Sequence, residues 1–181
     1  MSTTVVAPHR TTEQRPVERW KVDQTRTTVE FEVEHLWGLH TVRGRFHDFD
    51  GSYVVGQYGS EIELTIDAAS IDTGIAARDE HLRSPDFFFV ALHPQVRFRS
   101  THLTGLGNGA VHVSGDLEAA GTTMPLAFDA SVSVIDGELE LEATTTIDQG
   151  RFGMSGGPLG NVRPPTKLHV NARLVRVESP V

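Results

Sequence analysis

Along most of the chain, apolar and polar residues alternate one for one. Val29, Phe31 and Val33 are interleaved with Glu30, Glu32 and Glu34, and Ile62, Leu64 and Ile66 with Glu61, Glu63 and Thr65. Val111, Val113 and Leu117 share a phase against His112, Ser114, Asp116 and Glu118. Longer series follow in Met124, Leu126, Phe128, Ala130, Val132 and Val134, in Leu139, Leu141, Ala143 and Ile147, and in Leu168, Val170, Ala172 and Leu174. Successive side chains of a strand point to opposite faces, so each run predicts a strand with one buried and one wetted face. The glutamates mark the wetted one.

The links between runs agree. Asp136–Gly137 is a strong hairpin signal, and Gly105 to Gly109 and Ala120–Gly121 are further turn-rich links. Short links imply antiparallel neighbours. About eight strands of this kind close as a sandwich or as a barrel.

Two segments break the alternation. From Ser70 to Pro94 the chain carries helix formers, and one or two short helices are expected around residues 74–92. Thr73 is placed to cap the first, Asp79 and Arg83 to pair one turn apart, and Ser84–Pro85 to open a second. Phe87, Phe88 and Phe89 require something to bury against. Gly150 to Pro165 holds five glycines and three prolines, and reads equally as a functional loop or a surface excursion.

Residues 1–19 lack apolar periodicity and read as a disordered tail, leaving residues 20–178 as one folded domain. No signal-peptide core and no stretch of about 18 apolar residues occurs, so no membrane span is expected and the cytoplasm is the expected location. Lys and Arg total 16 against 24 Asp and Glu, a net charge of −8. That balance disfavours nucleic acid and offers no polybasic segment to an anionic membrane. There is no cysteine, which removes disulfides, thiolate nucleophiles and cysteine-ligated metals.

Nine histidines raise the question of a metal, but His35, His40 and His47 fit no ligand spacing, and His81 and His93 fall in the insert. No metal and no cofactor are expected. Asp72, Asp79 and Asp86 each sit where a turn or cap uses them. Ser70, Ser84 and Ser155 lack a nucleophile-elbow context, so no catalytic set is assembled. Arg78, Arg83, Arg97 and Arg99 gather positive charge near the insert, either to hold an anionic head group or to pair with Asp79, Glu80 and Asp86.

The opening Trp20, Asp23, Val29, Phe31, Val33 and His35 leads into Gly44, Phe46, Phe49 and Gly51. An ordered central block follows: Ser70-Ile71-Asp72-Thr73-Gly74, Arg78-Asp79, His81-Leu82, Ser84, Asp86-Phe87-Phe88, Pro94, Phe98 and Ser100. With Gly115 to Leu117 and Arg151-Phe152-Gly153, this resembles the YceI-like, or polyisoprenoid-binding-protein-like, family from about Trp20 to Val177. The resemblance implies an all-β fold, an extended eight-stranded antiparallel barrel similar to a lipocalin. It also implies a prenyl or related amphiphilic chain in the interior, and a homodimer. Phe89 departs from it, standing where the family often has a polar residue.

The residues support the same function independently. Thr123 to Ile135 would span roughly 40 Å as a strand, enough for a tall interior. Ala130, Ala143, Ala172, Gly44 and Gly115 lie in phase with the apolar face and would leave room for hydrocarbon. The expected activity is non-catalytic binding, storage or transport of a long-chain lipid: a polyisoprenoid first, then an isoprenoid quinone or fatty acid derivative. The expected ligand-lining residues are Phe31, Val33, His35, Phe46, Arg78, His81, Leu82, Phe87, Phe88, Phe98, Phe128, Ala130, Leu141 and Ala143. For each phenylalanine, plain core filling is the competing role. Two alternatives stand beside the carrier: a small enzyme acting on a lipid-like substrate on the same barrel, and a solid-core stress-response interaction module.

Overall fold

The alternating runs fold as strands whose apolar faces meet in register. The computed structural model describes residues 17–35, 40–57, 59–154 and 165–177. Its strands are β1 (Glu18–Val22), β2 (Thr28–His35), β3 (His40–Phe46), β4 (Phe49–Gly56), β5 (Gly59–Asp67), β6 (Ile71–Asp72), β7 (Gln95–Gly107), β8 (Ala110–Ala119), β9 (Thr122–Ile135), β10 (Glu138–Ile147) and β11 (Thr166–Val177). The single α-helix among the described residues is α1 (Ala76–Arg83).

All pairings are antiparallel, and β1, β4, β5, β7, β8, β9, β10 and β11 close into a ring through the β1–β11 ladder. The remaining three strands extend the ring upward. β1 pairs with Leu174 to Val177 of β11, and β2 pairs with Thr166 to Asn171 on the same edge, so β1 and β2 are one long strand with a corner. β3 with β4 and β5 with β6 continue in the same way. The result is a closed eight-stranded antiparallel barrel.

The corners lie side by side and tie to one another. Asp23 N–H donates to the Arg173 carbonyl at 2.8 Å, Asp67 N–H to the Asp48 carbonyl at 2.9 Å, and His47 N–H to the Ser70 carbonyl at 3.3 Å. Asp23 and Asp67 each accept the backbone N–H two residues on, turning the strand through a short 3₁₀ segment. Hydrogen bonds from Thr25 and then Arg26 hold the Asp23 carboxyl down at about 2. Arg26 also reaches Glu138 at 2.7 Å, fastening the corner to β10.

Register puts apolar partners on one face around the ring: Leu64 opposite Phe98, Phe98 opposite Leu117, Leu117 opposite Met124, Leu141 opposite Ala172, Val170 opposite Val29. A slip of one residue would bring the glutamates inside, so this pattern specifies the pairing. The tight hairpins follow from positive φ at Asn108, Ala120 and Asp136, each followed by a positive-φ glycine.

Several sequence expectations change. β1 begins at Glu18, two positions before the expected boundary of the folded part; residues 1–16 lie outside the described residues. The insert has one helix: Ser84 to Leu92 forms successive turns, because Phe89 has φ +49 and Phe88 and Phe89 N–H donate back to Leu82 and Ser84. That φ belongs to the left-handed region that Asn, Asp and Gly tolerate better than phenylalanine. Thr73 caps no helix. The cap position is Ile75, with no side-chain bond. Asp79 turns back to Thr73, and Arg83 donates to the Ala69 and Ile71 carbonyls, so the expected Asp79–Arg83 pair is not formed.

Two of the small residues expected to leave interior space are filled from the neighbouring strand. A Cβ on Gly44 would stand 2.7 Å from Phe31 Cε1, and one on Gly115 would stand 2.7 Å from Phe98 Cζ. Each phenyl ring leans across the strand over a glycine. Gly44→Ala is therefore expected to destabilise by about 1–3 kcal/mol through overpacking, lowering Tm by roughly 3–10 °C in thermal denaturation. A strand glycine with open space would show the opposite sign, since alanine loses less entropy there.

Candidate functional site

The barrel interior holds a cavity of about 1240 Å³. That exceeds the roughly 300–1,000 Å³ of ordinary small-molecule pockets. Its walls are Val29, Phe31 and Val33 of β2, Ile62, Leu64 and Ile66 of β5, Leu126 and Phe128 of β9, and Leu168, Val170 and Ala172 of β11. β-branched and aromatic residues at alternate positions build such a wall because their partners across each ladder are of the same kind.

The upper end is roofed by the insert and by the segment after β10. α1 contributes Arg78, His81 and Leu82, the following turns contribute Phe87 and Phe88, and Gln149, Phe152 and Met154 approach from the other side. Phe88 meets Phe46 edge-on at 5.9 Å, and Phe46 meets Phe31 at 5.8 Å, a chain of rings from roof to wall. His81 packs its ring edge-on against Phe87 at 5.1 Å. Arg78, His81, Gln149 and Glu34 make this end polar, whereas the walls below are largely apolar. Ser52, Tyr53 and Glu63 reach the cavity from β4 and β5.

The central sequence block is chiefly a fastening for this roof. Asp79, 7% exposed, accepts the Thr73 N–H at 2.9 Å and the Thr73 hydroxyl as well. Arg78 Nε donates to the same hydroxyl oxygen at 2.7 Å and Nη2 to the Thr73 carbonyl at 2.8 Å. Asp72 accepts the Gly74 N–H at 2.8 Å; it also meets His47 at 2.9 Å, and that imidazole hydrogen bond, then the Gly74 N–H, lowers its pKa. Buried carboxylates persist only when their oxygens are occupied, so Ile71-Asp72-Thr73-Gly74 and Arg78-Asp79 behave as one unit.

Of the expected ligand-lining residues, Phe31, Val33, Phe46, Arg78, His81, Leu82, Phe87, Phe88, Phe98, Phe128, Leu141 and Ala143 border the cavity. The side chain of His35 lies outside the described residues, as do residues 155–164 of the Gly/Pro-rich loop. Ala130 is buried but does not border the cavity: it pairs with Val111 and Ala143 and belongs to the buried core.

The four clustered arginines part company. Arg99 pairs with Glu61 at 3.4 Å and with Glu63, Arg97 with Gln95, and Arg83 with backbone carbonyls, so none takes the expected partners Asp79, Glu80 or Asp86. Arg78 alone of the four borders the cavity. Sequence reading missed Gln149, Met154, Thr166 and Leu174, because alternation identifies a face without giving the height at which the interior is empty.

Among the described residues no group of three or more His, Asp or Glu is arranged to hold a metal, and no helix is long and apolar enough to cross a membrane. The His47–Asp72 pair and the His112–Asp129 pair, at 2.6 Å, border no part of the cavity.

A closed antiparallel barrel with an apolar interior, roofed by one short helix, defines a lipocalin-shaped class of protein. This chain belongs to the YceI-like domain family, whose model matches residues 20–174. A UPF0312 protein of Ectopseudomonas mendocina is 37% identical over 105 residues, 56% of this chain and 54% of that protein. One of Shewanella denitrificans is 38% identical over 106 residues, 57% and 55% respectively. The chain thus spans about half the length of the curated relatives it matches. The crystal structure of Burkholderia cenocepacia BcnA superposes with a TM-score of 0.77 at 18% identity, over 84% of this chain and 98% of that one. A polyisoprenoid binding domain from Saccharophagus degradans, implicated in plant cell wall breakdown, gives 0.70 at 18% identity, over 89% and 98%. At such identities the likeness is one of fold.

Proposed function

We propose that this protein binds a long-chain amphiphilic lipid, most simply a polyisoprenoid, in the barrel interior, and stores or carries it without chemical change. The observation that carries this reading is the cavity: about 1240 Å³, walled largely by apolar side chains, with Arg78, His81 and Gln149 under its roof. Each methylene moved from water into such a space contributes on the order of 0.8 kcal/mol, so a tail is held without directional contacts. The fold shared with a polyisoprenoid binding domain supports the same class of ligand. The tail lies along the walls with its polar head under α1, beside Arg78 and His81.

Native mass spectrometry of the purified protein with added prenyl alcohols and prenyl phosphates tests this. Uptake of one prenyl chain per barrel is expected; a protein that takes up neither is no carrier of this class. Arg78→Ala separates two roles of the guanidinium. If it meets a phosphate head, affinity for the prenyl phosphate falls about tenfold or more while the alcohol is held as before. Equal loss for both would assign Arg78 to fastening Thr73 alone.

A further inference from the structure

The backbone of an eight-stranded barrel is open at both ends, so a blind interior is the work of side chains. Here the lower end is closed by a buried cluster separate from the main core: Trp20, Leu139, Ala172 and Leu174, with Tyr53 and Val132 packed against it. The cluster has two tiers. Ala172, Leu174 and Tyr53 border the cavity, whereas Trp20, Leu139 and Val132 do not and lie behind them. Register accounts for the stacking, with Leu174 opposite Val22 and Leu139, and Trp20 opposite Tyr53 and Arg176.

Beyond the second tier the barrel ends in water. The Arg176 guanidinium stands 5.8 Å from the Trp20 ring and pairs with Glu18 at 3.0 Å, both charged side chains being partly exposed. A cation over the indole face adds an attraction that helps hold Trp20 in place.

We propose that this plug is the length gauge for the hydrocarbon tail, an inference that rests on the carrier reading above. Thr166 borders the cavity near its upper end and Leu174 at its floor, on the same strand. Their separation corresponds to about 26 Å of strand, or roughly 20 Å of depth at the usual tilt of about 40°. An extended carbon chain advances about 1.2 Å per bond, so that depth takes about four isoprene units. A longer tail meets Leu174 and must leave some of its methylenes at the mouth, in water.

The test moves the floor in both directions. Leu174→Ala cuts back one side chain of the first tier and deepens the cavity there, while Ala172→Phe raises the floor. Farnesol, geranylgeraniol and solanesol compete for the protein in native mass spectrometry, with thermal melting to verify folding. Leu174→Ala is expected to raise binding of solanesol relative to geranylgeraniol about tenfold, and Ala172→Phe to shift preference toward farnesol by a similar factor. Should Leu174→Ala fail to fold, Ala172→Phe decides alone. Folded variants that bind prenols in the wild-type ratios overturn the gauge, as a tail that doubles back within the cavity is indifferent to its floor. A wild-type protein that takes up no prenol fails the carrier reading itself, a distinguishable result.

Discussion

Ala143→Trp is expected to abolish prenyl binding while leaving the barrel folded. Ala143 is 8% exposed, borders the cavity, and lies opposite Val170 across the β10–β11 ladder. An indole there reaches into the cavity that Ala143 borders. If it displaces about five methylenes of ligand at about 0.8 kcal/mol each, the loss is about 4 kcal/mol, or roughly a thousandfold in Kd. Thermal stability should hold or rise, because the new ring gains contacts that the cavity withheld. The same substitution at Ala130 has the opposite signature. That residue is buried with Val111, Val113 and Ala143 and does not itself border the cavity, so a larger side chain costs about 1–3 kcal/mol of stability. Titration with a prenyl alcohol and a melting curve on both variants check the pair of outcomes. Undiminished binding by folded Ala143→Trp would place the hydrocarbon outside the barrel.

Asp79→Ala is expected to produce the largest loss of stability outside the strands. The carboxylate is buried and receives both the N–H and the hydroxyl of Thr73, and that hydroxyl in turn receives Arg78. Alanine leaves a buried backbone donor with no acceptor and frees the start of α1 from β6. Breaking such a charge-assisted set costs about 2–4 kcal/mol, lowering Tm by roughly 5–12 °C in a chain of this size. The effect on binding follows from geometry. α1 carries Arg78, His81 and Leu82 over the cavity, so a loosened helix weakens uptake even though residue 79 itself does not border the interior. Asp79→Asn keeps an acceptor oxygen and is expected to lie between the two. Amide hydrogen exchange would locate the change: faster exchange confined to residues 71–90 fits, whereas unaltered protection there would refute the fastening role.

Much of the barrel was legible because β structure writes itself locally. Period two names the buried face, Asp136–Gly137 names a hairpin, and the run from Ser70 to Pro94 stands out by breaking the rule. The block from Ile71 to Asp79 was equally conspicuous, but its chemistry was not. Thr73, Asp79 and Arg78 read as cap, helix pair and head-group anchor, and in the fold they bond chiefly to one another. Spacing alone cannot tell a carboxylate that caps a helix from one that turns back six residues to a threonine.

Taken alone, the order of residues determined the fold class, the phase of each strand, the place of the insert and the apolar character of the interior. These depend on local backbone geometry and on keeping glutamate in water, both of which a linear pattern records. The tertiary structure decided where that interior is hollow. Gly44 and Gly115 promised space, but Phe31 and Phe98 cross from other strands to take it, while Ala143 and Ala172 border the cavity and leave it open. The closed floor likewise arises from Trp20, Leu139 and Leu174, far apart in the chain and joined only by ladder register. Empty volume is a property of what fails to meet across a barrel, and no stretch of a single strand contains that information.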